Sequence, residues 1–215
     1  MNSRRCYTSA AVFGALFLLW IALLCTVDVA AVGPSGTAVG FSHLNVWFHE
    51  LTGVNMTWYK ITNLLGYVSI FAVLCCAAVG AWQFLRRKSM KAVDGDLLRL
   101  GGLCVALAAL YAFFEKVIIN YRPVILPDET AVEASFPSSH TMLVCAIFGC
   151  LLIVVKQRVQ NVALRRMLVA LCAAFVVLGV VGRLLSGVHW LTDIIGSLLL
   201  SASLCSLFAA AAPRS

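Results

Sequence analysis

The sequence predicts an all-α membrane protein folded as a bundle of six transmembrane helices. Two observations lead there. Of 215 residues 62% are hydrophobic and only 12% charged, with a mean hydropathy of +0.97, which is too little polarity to clothe a soluble domain. Six apolar stretches also approach the roughly 20 residues that a bilayer's hydrocarbon core requires. Six such helices use about 120 residues and leave short loops, so 1–215 reads as a single integral-membrane domain.

The spans follow in order. Ala10 to Val27 and Ile61 to Leu85 are charge-free, and Leu100 to Phe114 is apolar within a span from Leu97 to Ile119. Ala134 to Val155 carries no charge besides that of a protonated His140, Met167 to Gly182 is apolar, and Ile194 to Ala212 is charge-free within a span from Trp190 to Ala212. Arg4 and Arg5 before the first span could mark a signal peptide, but its length and Asp28 favour an uncleaved anchor. The stretch from Val32 to Lys60, with His43, His49, Glu50 and Trp58, reads as a polar loop with interfacial aromatic and His residues.

Net charge +7 would suggest nucleic acid in a soluble protein. Here the cations sort by loop instead. Arg4, Arg5, Arg86, Arg87, Lys88, Lys91, Arg99, Lys156, Arg158, Arg165, Arg166 and Arg214 share one side, twelve of sixteen. The positive-inside rule therefore puts both termini and the 86–96 and 156–166 loops in the cytoplasm, and removes the case for nucleic acid. The nine Cys lie almost all inside apolar runs. They form no disulfide framework or metal-ligand spacing, so no metal or other cofactor is expected.

Three of the four remaining cations, Lys116, Arg122 and Arg183, lie beside the polar clusters of the outer half. Singly each could snorkel to the interface; together with a carboxylate and two His at one depth they form an anion site. Forked guanidinium donors and a compact ammonium match phosphate oxygens. Pro123 is placed to stop the helix that carries Lys116. Pro137, Ser138 and Ser139 suit a helix start, whose free N–H groups favour anions, and His140 follows directly. His189 and Asp193 are four residues apart, a spacing that lets a carboxylate fix an imidazole's tautomer and raise the basicity of its other nitrogen.

In this order and spacing, Lys116 to Arg122-Pro123, Pro137-Ser138-Ser139-His140 and Arg183-x5-His189-x3-Asp193 resemble the three-part signature of the type 2 phosphatidic acid phosphatase family. The resemblance implies a metal-independent lipid phosphatase in a bacterial inner membrane, acting through a phosphohistidine. Its substrate would be phosphatidate, phosphatidylglycerol phosphate or undecaprenyl diphosphate, and its active site would lie at the extracytoplasmic edge. It makes His189 the nucleophile, Asp193 its orienting partner and His140 the acid for the leaving oxygen. Lys116, Arg122, Ser138, Ser139 and Arg183 would hold the phosphoryl oxygens.

Three departures accompany the likeness. The family's first motif has six residues between Lys and Arg, whereas Val117 to Tyr121 are five; Ser139 replaces a Gly; and Gly182 replaces a Ser. The competing readings are a transporter or channel with an outer-face anion site, which predicts ionisable residues across the bilayer depth, and an intramembrane serine protease. For the protease, Ser186 lacks a Gly-x-Ser-Gly setting and the three cations have no role.

Overall fold

A computed structural model of the chain describes residues 3–126 and 129–212, so Arg214 lies outside the described residues. The described residues form seven α-helices: α1 Ser3–Leu24, α2 Ser42–Thr52, α3 Met56–Arg87, α4 Gly95–Lys116, α5 Ser139–Arg158, α6 Val162–Ser186 and α7 Leu191–Ala210. All but α2 are long and apolar enough to cross a membrane. Together they make an all-helical integral-membrane bundle of six spans.

Local signals set the helix ends. Asn55 opens α3 by accepting from the Thr57 and Trp58 amides, and Asn161 opens α6 by accepting from Leu164. Gly187 closes α6 in the left-handed region at φ 65°, where a side chain would be strained. At 32 residues α3 runs ~48 Å. It therefore outreaches the hydrocarbon core and carries polar residues of its first turns to the end where α6 stops.

The centre of the bundle is α5 and α7, whose most apolar windows are 44% and 50% buried, against 11% for α1. Phe17 of α1 stacks on Phe136 at 5.9 Å, and Phe114 of α4 meets Phe136 edge-on at 6.0 Å. The segment leading into α5 is thus pinned from two sides. At the opposite end Asp96 pairs with Arg99 and Arg158, and Arg99 also donates to the Phe208 carbonyl, tying α4, α5 and α7 together. Both described chain ends and the basic loops lie at that end.

The structure differs from the sequence reading in four places. The 32–60 stretch is not an open loop. Asp28 accepts from the Ser42 hydroxyl (3.0 Å), the His43 amide (2.9 Å) and His43 Nδ1 (2.7 Å), capping α2 from 14 residues upstream. His43 holds the Asp28 carboxyl below its usual range. Second, α4 ends at Lys116, seven residues before Pro123 and without its help. Third, α5 begins at Ser139 rather than Ala134, because residues 134–135 pair with 120–121 instead. Pro137 therefore precedes the helix rather than opening it. Fourth, α1 starts and ends earlier than the charge-free run of Ala10 to Val27.

Candidate active site

The ends of α5, α6 and α7 and the first turns of α3 converge on one polar cluster. Arg183, in the last turn of α6, is fully buried. Its Nη1 donates to Thr62 Oγ1 (2.9 Å) and Asn63 Oδ1 (3.0 Å), its Nη2 lies 3.1 Å from His140 Nδ1, and its guanidinium sits over the Tyr59 ring at 5.1 Å. A guanidinium only donates, so His140 Nδ1 accepts and the ring proton sits on Nε2. Arg183 Nε is buried without a partner.

Gly182 explains the missing hydroxyl in the third motif. A Cβ there would come within 2.8 Å of Thr62 Cγ2 and 3.1 Å of the Trp58 ring, so α3 and α6 approach too closely for a Ser. Thr62 brings a hydroxyl to this region from α3, but it accepts from Arg183 and donates to the Trp58 and Tyr59 carbonyls.

His189 lies in the turn between α6 and α7, and its Nδ1 is 3.6 Å from Asp193 Oδ2. That is ion-pair range, longer than a hydrogen bond. Asp193 also accepts from the Trp190 amide (2.9 Å) and from Asn120 Nδ2 (3.3 Å), so it caps α7 while facing His189. Both ring nitrogens of His189 are buried without a hydrogen-bond partner. Burial, reinforced by Arg122, Arg183 and His140, holds its imidazole well below the ordinary histidine range. The ring is a neutral base at physiological pH, with unsatisfied nitrogens that a ligand could engage.

Arg122 is placed by the pairing of 120–122 with 133–135. Its Nε lies 2.9 Å from Glu133 Oε2, near enough for an ion pair but without hydrogen-bond alignment, and its Nη1 is buried and unpartnered. Arg122, Glu133, Ser135, Ser139 and His189 line a polar cavity of about 80 Å³. An apolar cavity of about 360 Å³ runs between α3, α4 and α5, walled by residues such as Val73, Leu107 and Ile147, with His140 on its wall. The two cavities share Tyr111, Ser139 and Met142.

Of the eight residues singled out in the sequence, His140, Arg183, His189, Asp193, Arg122 and Ser139 thus meet around these cavities. Ser138 is fully buried below them; its Oγ accepts from Thr141 and its carbonyl from Ser197. Lys116 is exposed at the end of α4 and lines neither cavity, as the shortened first motif would have it. Sequence reasoning missed Tyr59, Thr62, Asn63, Asn120 and Glu133. Among the described residues no group of three or more His, Cys, Asp or Glu is placed to hold a metal ion.

Residues 97–215, more than half of the chain, match the PAP2 superfamily, and this stretch contains all three motifs. The chain belongs to the PAP2 superfamily. Its fold is similar to that of a transmembrane PAP2 type phosphatidylglycerolphosphate phosphatase from Bacillus subtilis. The two share 20% sequence identity and a TM-score of 0.65, over 93% of this chain and 94% of that one. Comparison with curated proteins gives no match.

Proposed function

We propose that this PAP2 protein is an integral-membrane lipid phosphatase that removes phosphate from a lipid phosphate through a phosphohistidine on His189. The observation that carries the reading is the meeting of two unlike cavities. The polar one has His189 and Arg122 on its walls and the apolar one has His140, with Ser139 on both. A lipid phosphate has the same two-part character, an anionic head on a hydrocarbon tail. Its phosphoryl group fits the first cavity, its chain lies in the second, and the ester oxygen between them faces His140.

The chemistry balances with these groups alone. A neutral His189 nitrogen attacks phosphorus, the bond to the lipid oxygen breaks, and His140 delivers a proton to that oxygen. Water then attacks the phosphohistidine, its proton passes to His140, the P–N bond breaks and phosphate leaves. Arg122 and Arg183 meet the charge on the phosphoryl oxygens, with the Ser139 hydroxyl beside them. Phosphate also offers Arg183 a stronger acceptor than His140 Nδ1, which frees that nitrogen to take up the proton it later donates. Lys116 and Ser138 act at a distance, as a basic rim and as support for the start of α5. The reaction needs no metal, because guanidinium groups do the work of a Lewis acid.

The distribution of cations supports a site on the extracytoplasmic face and both termini in the cytoplasm; residence in a bacterial inner membrane is part of the same proposal. The transporter reading expects ionisable groups at mid-depth. Here His140 and Asp193 stand in first turns and Arg183 in a last turn. Candidate substrates are phosphatidylglycerol phosphate, after which the Bacillus subtilis phosphatase of similar fold is named, phosphatidate and undecaprenyl diphosphate. The test is phosphate release from these three by the purified protein in detergent. Release from at least one, lost in His189→Ala, is expected; release from none would overturn the reading.

A further inference from the structure

Arg122, the guanidinium on the wall of the polar cavity, is already paired with an anion. Glu133 stands opposite it across the 120–122 and 133–135 pairing, with the Arg122 amide donating to the Glu133 carbonyl at 3.0 Å and the side chains at 2.9 Å. The Arg122 side chain is 11% exposed and the Glu133 side chain 39%. The cation is therefore fixed in the wall, while its counter-ion sits toward water and can swing out. Both residues line the same small cavity as His189.

An arginine whose task was only structural would have its donors satisfied. Here Nη1 is buried and unpartnered, and the Glu133 contact lacks hydrogen-bond alignment. A phosphoryl group entering the cavity of about 80 Å³ meets the Arg122 guanidinium and the Glu133 carboxylate together, and like charges that close repel, so the phosphate and the carboxylate compete for the one cation. We propose that Glu133 is a stand-in anion that pairs with Arg122 until phosphate displaces it, so that it sets the affinity for substrate and the ease of product release. The proposal rests on the reading of the polar cavity as the phosphoryl site.

The sign of one substitution separates this role from a brace. If Glu133 competes with phosphate, Glu133→Gln keeps the shape, removes the charge and makes phosphate bind more tightly. If Glu133 merely positions Arg122, the same change makes phosphate bind more weakly. Glu115 lines the cavity too and controls for simple charge repulsion.

The experiment measures binding of inorganic phosphate by calorimetry to the purified full chain in detergent, alongside KM for whichever lipid is hydrolysed. Glu133→Gln should tighten phosphate binding and lower KM, each about tenfold, the effect of one charge-assisted contact regained. Glu133→Asp, which retracts the carboxylate by one methylene, should give a smaller gain. Glu115→Gln should change binding by less than threefold. Unchanged or weaker binding in Glu133→Gln, or an equal gain in Glu115→Gln, would overturn the proposal. Thermal unfolding of each variant identifies any that misfolds, and Glu133→Asp then decides alone. Phosphate binding that tightens in a protein that hydrolyses none of the lipids would uphold Glu133's role and reject the phosphatase reading.

Discussion

Asn120 offers the sharpest check on how the site is held. It is buried, and its side chain bridges two elements: Nδ2 donates to Asp193 Oδ1 at 3.3 Å, and Oδ1 accepts from the Gly40 amide at 3.5 Å. The second contact is at the limit of a hydrogen bond, so the first dominates. A hydrogen bond to a charged group contributes about 1.5–3 kcal/mol, and the 3.3 Å length places this one at the lower end. Asn120→Ala should therefore slow transfer to His189 roughly tenfold, since about 1.4 kcal/mol is a factor of ten in rate. Asn120→Asp should cost more, because two buried carboxylates that close cannot both ionise and the proton they share disarms the partner of His189. Asn120 lines neither cavity, so KM should hold while kcat falls. Single-turnover quenched flow gives the transfer rate, and thermal unfolding in detergent checks the fold. A wild-type transfer rate in Asn120→Ala, or a loss confined to KM, would refute the reasoning.

Further predictions follow from the same geometry. Burial and nearby cations keep the His189 pKa well below the ordinary range, and only the neutral ring attacks. With an aryl phosphate, whose phenol leaves without a proton from His140, the transfer rate should thus stay flat from pH 8 to below about 6.5, where a free imidazole is half protonated, and a rate already halved there would contradict it. Excess chelator should leave turnover unchanged and vanadate, a mimic of five-coordinate phosphorus, should inhibit; Mg²⁺-restorable loss on chelation would reject the metal-free mechanism. For the orientation, Glu129→Cys in a background without the nine native Cys should label with an impermeant thiol reagent in intact cells. Labelling only after permeabilisation would invert the topology.

Much of the fold was legible because it depends on local features. Charge-free or apolar runs marked all six spans. What escaped depends on distance along the chain. Helix α2 is capped by Asp28, 14 residues upstream, and a carboxylate that far away leaves no local cap signal. The pairing of 120–122 with 133–135 delays the start of α5 and sets Glu133 against Arg122, but two short loop segments carry no periodicity that would announce it.

The site shows the same division. His140, Arg183, His189 and Asp193 were readable because ionisable groups at one membrane depth stand out. Thr62 and Asn63 were visible as polar residues inside an apolar span, yet a search for charges passes over neutral groups, and their partner Arg183 is more than a hundred residues away. Lys116 stands apart from the cavities, and the spacing of a motif does not give the angle at which a helix ends. Here α4 stops at Lys116 and leaves its side chain exposed.

The central claim is that His189 carries the phosphoryl group between the two half-reactions. His140→Ala protein, mixed with an aryl phosphate whose phenol leaves without protonation, should transfer phosphate to His189 and then stall for want of a base for water. Quenched flow should show one burst of phenol per enzyme, with acid-labile, base-stable phosphate on the peptide that contains His189 and none in His189→Ala. No protein-bound phosphate during turnover, or phosphate found on another residue, would contradict the account.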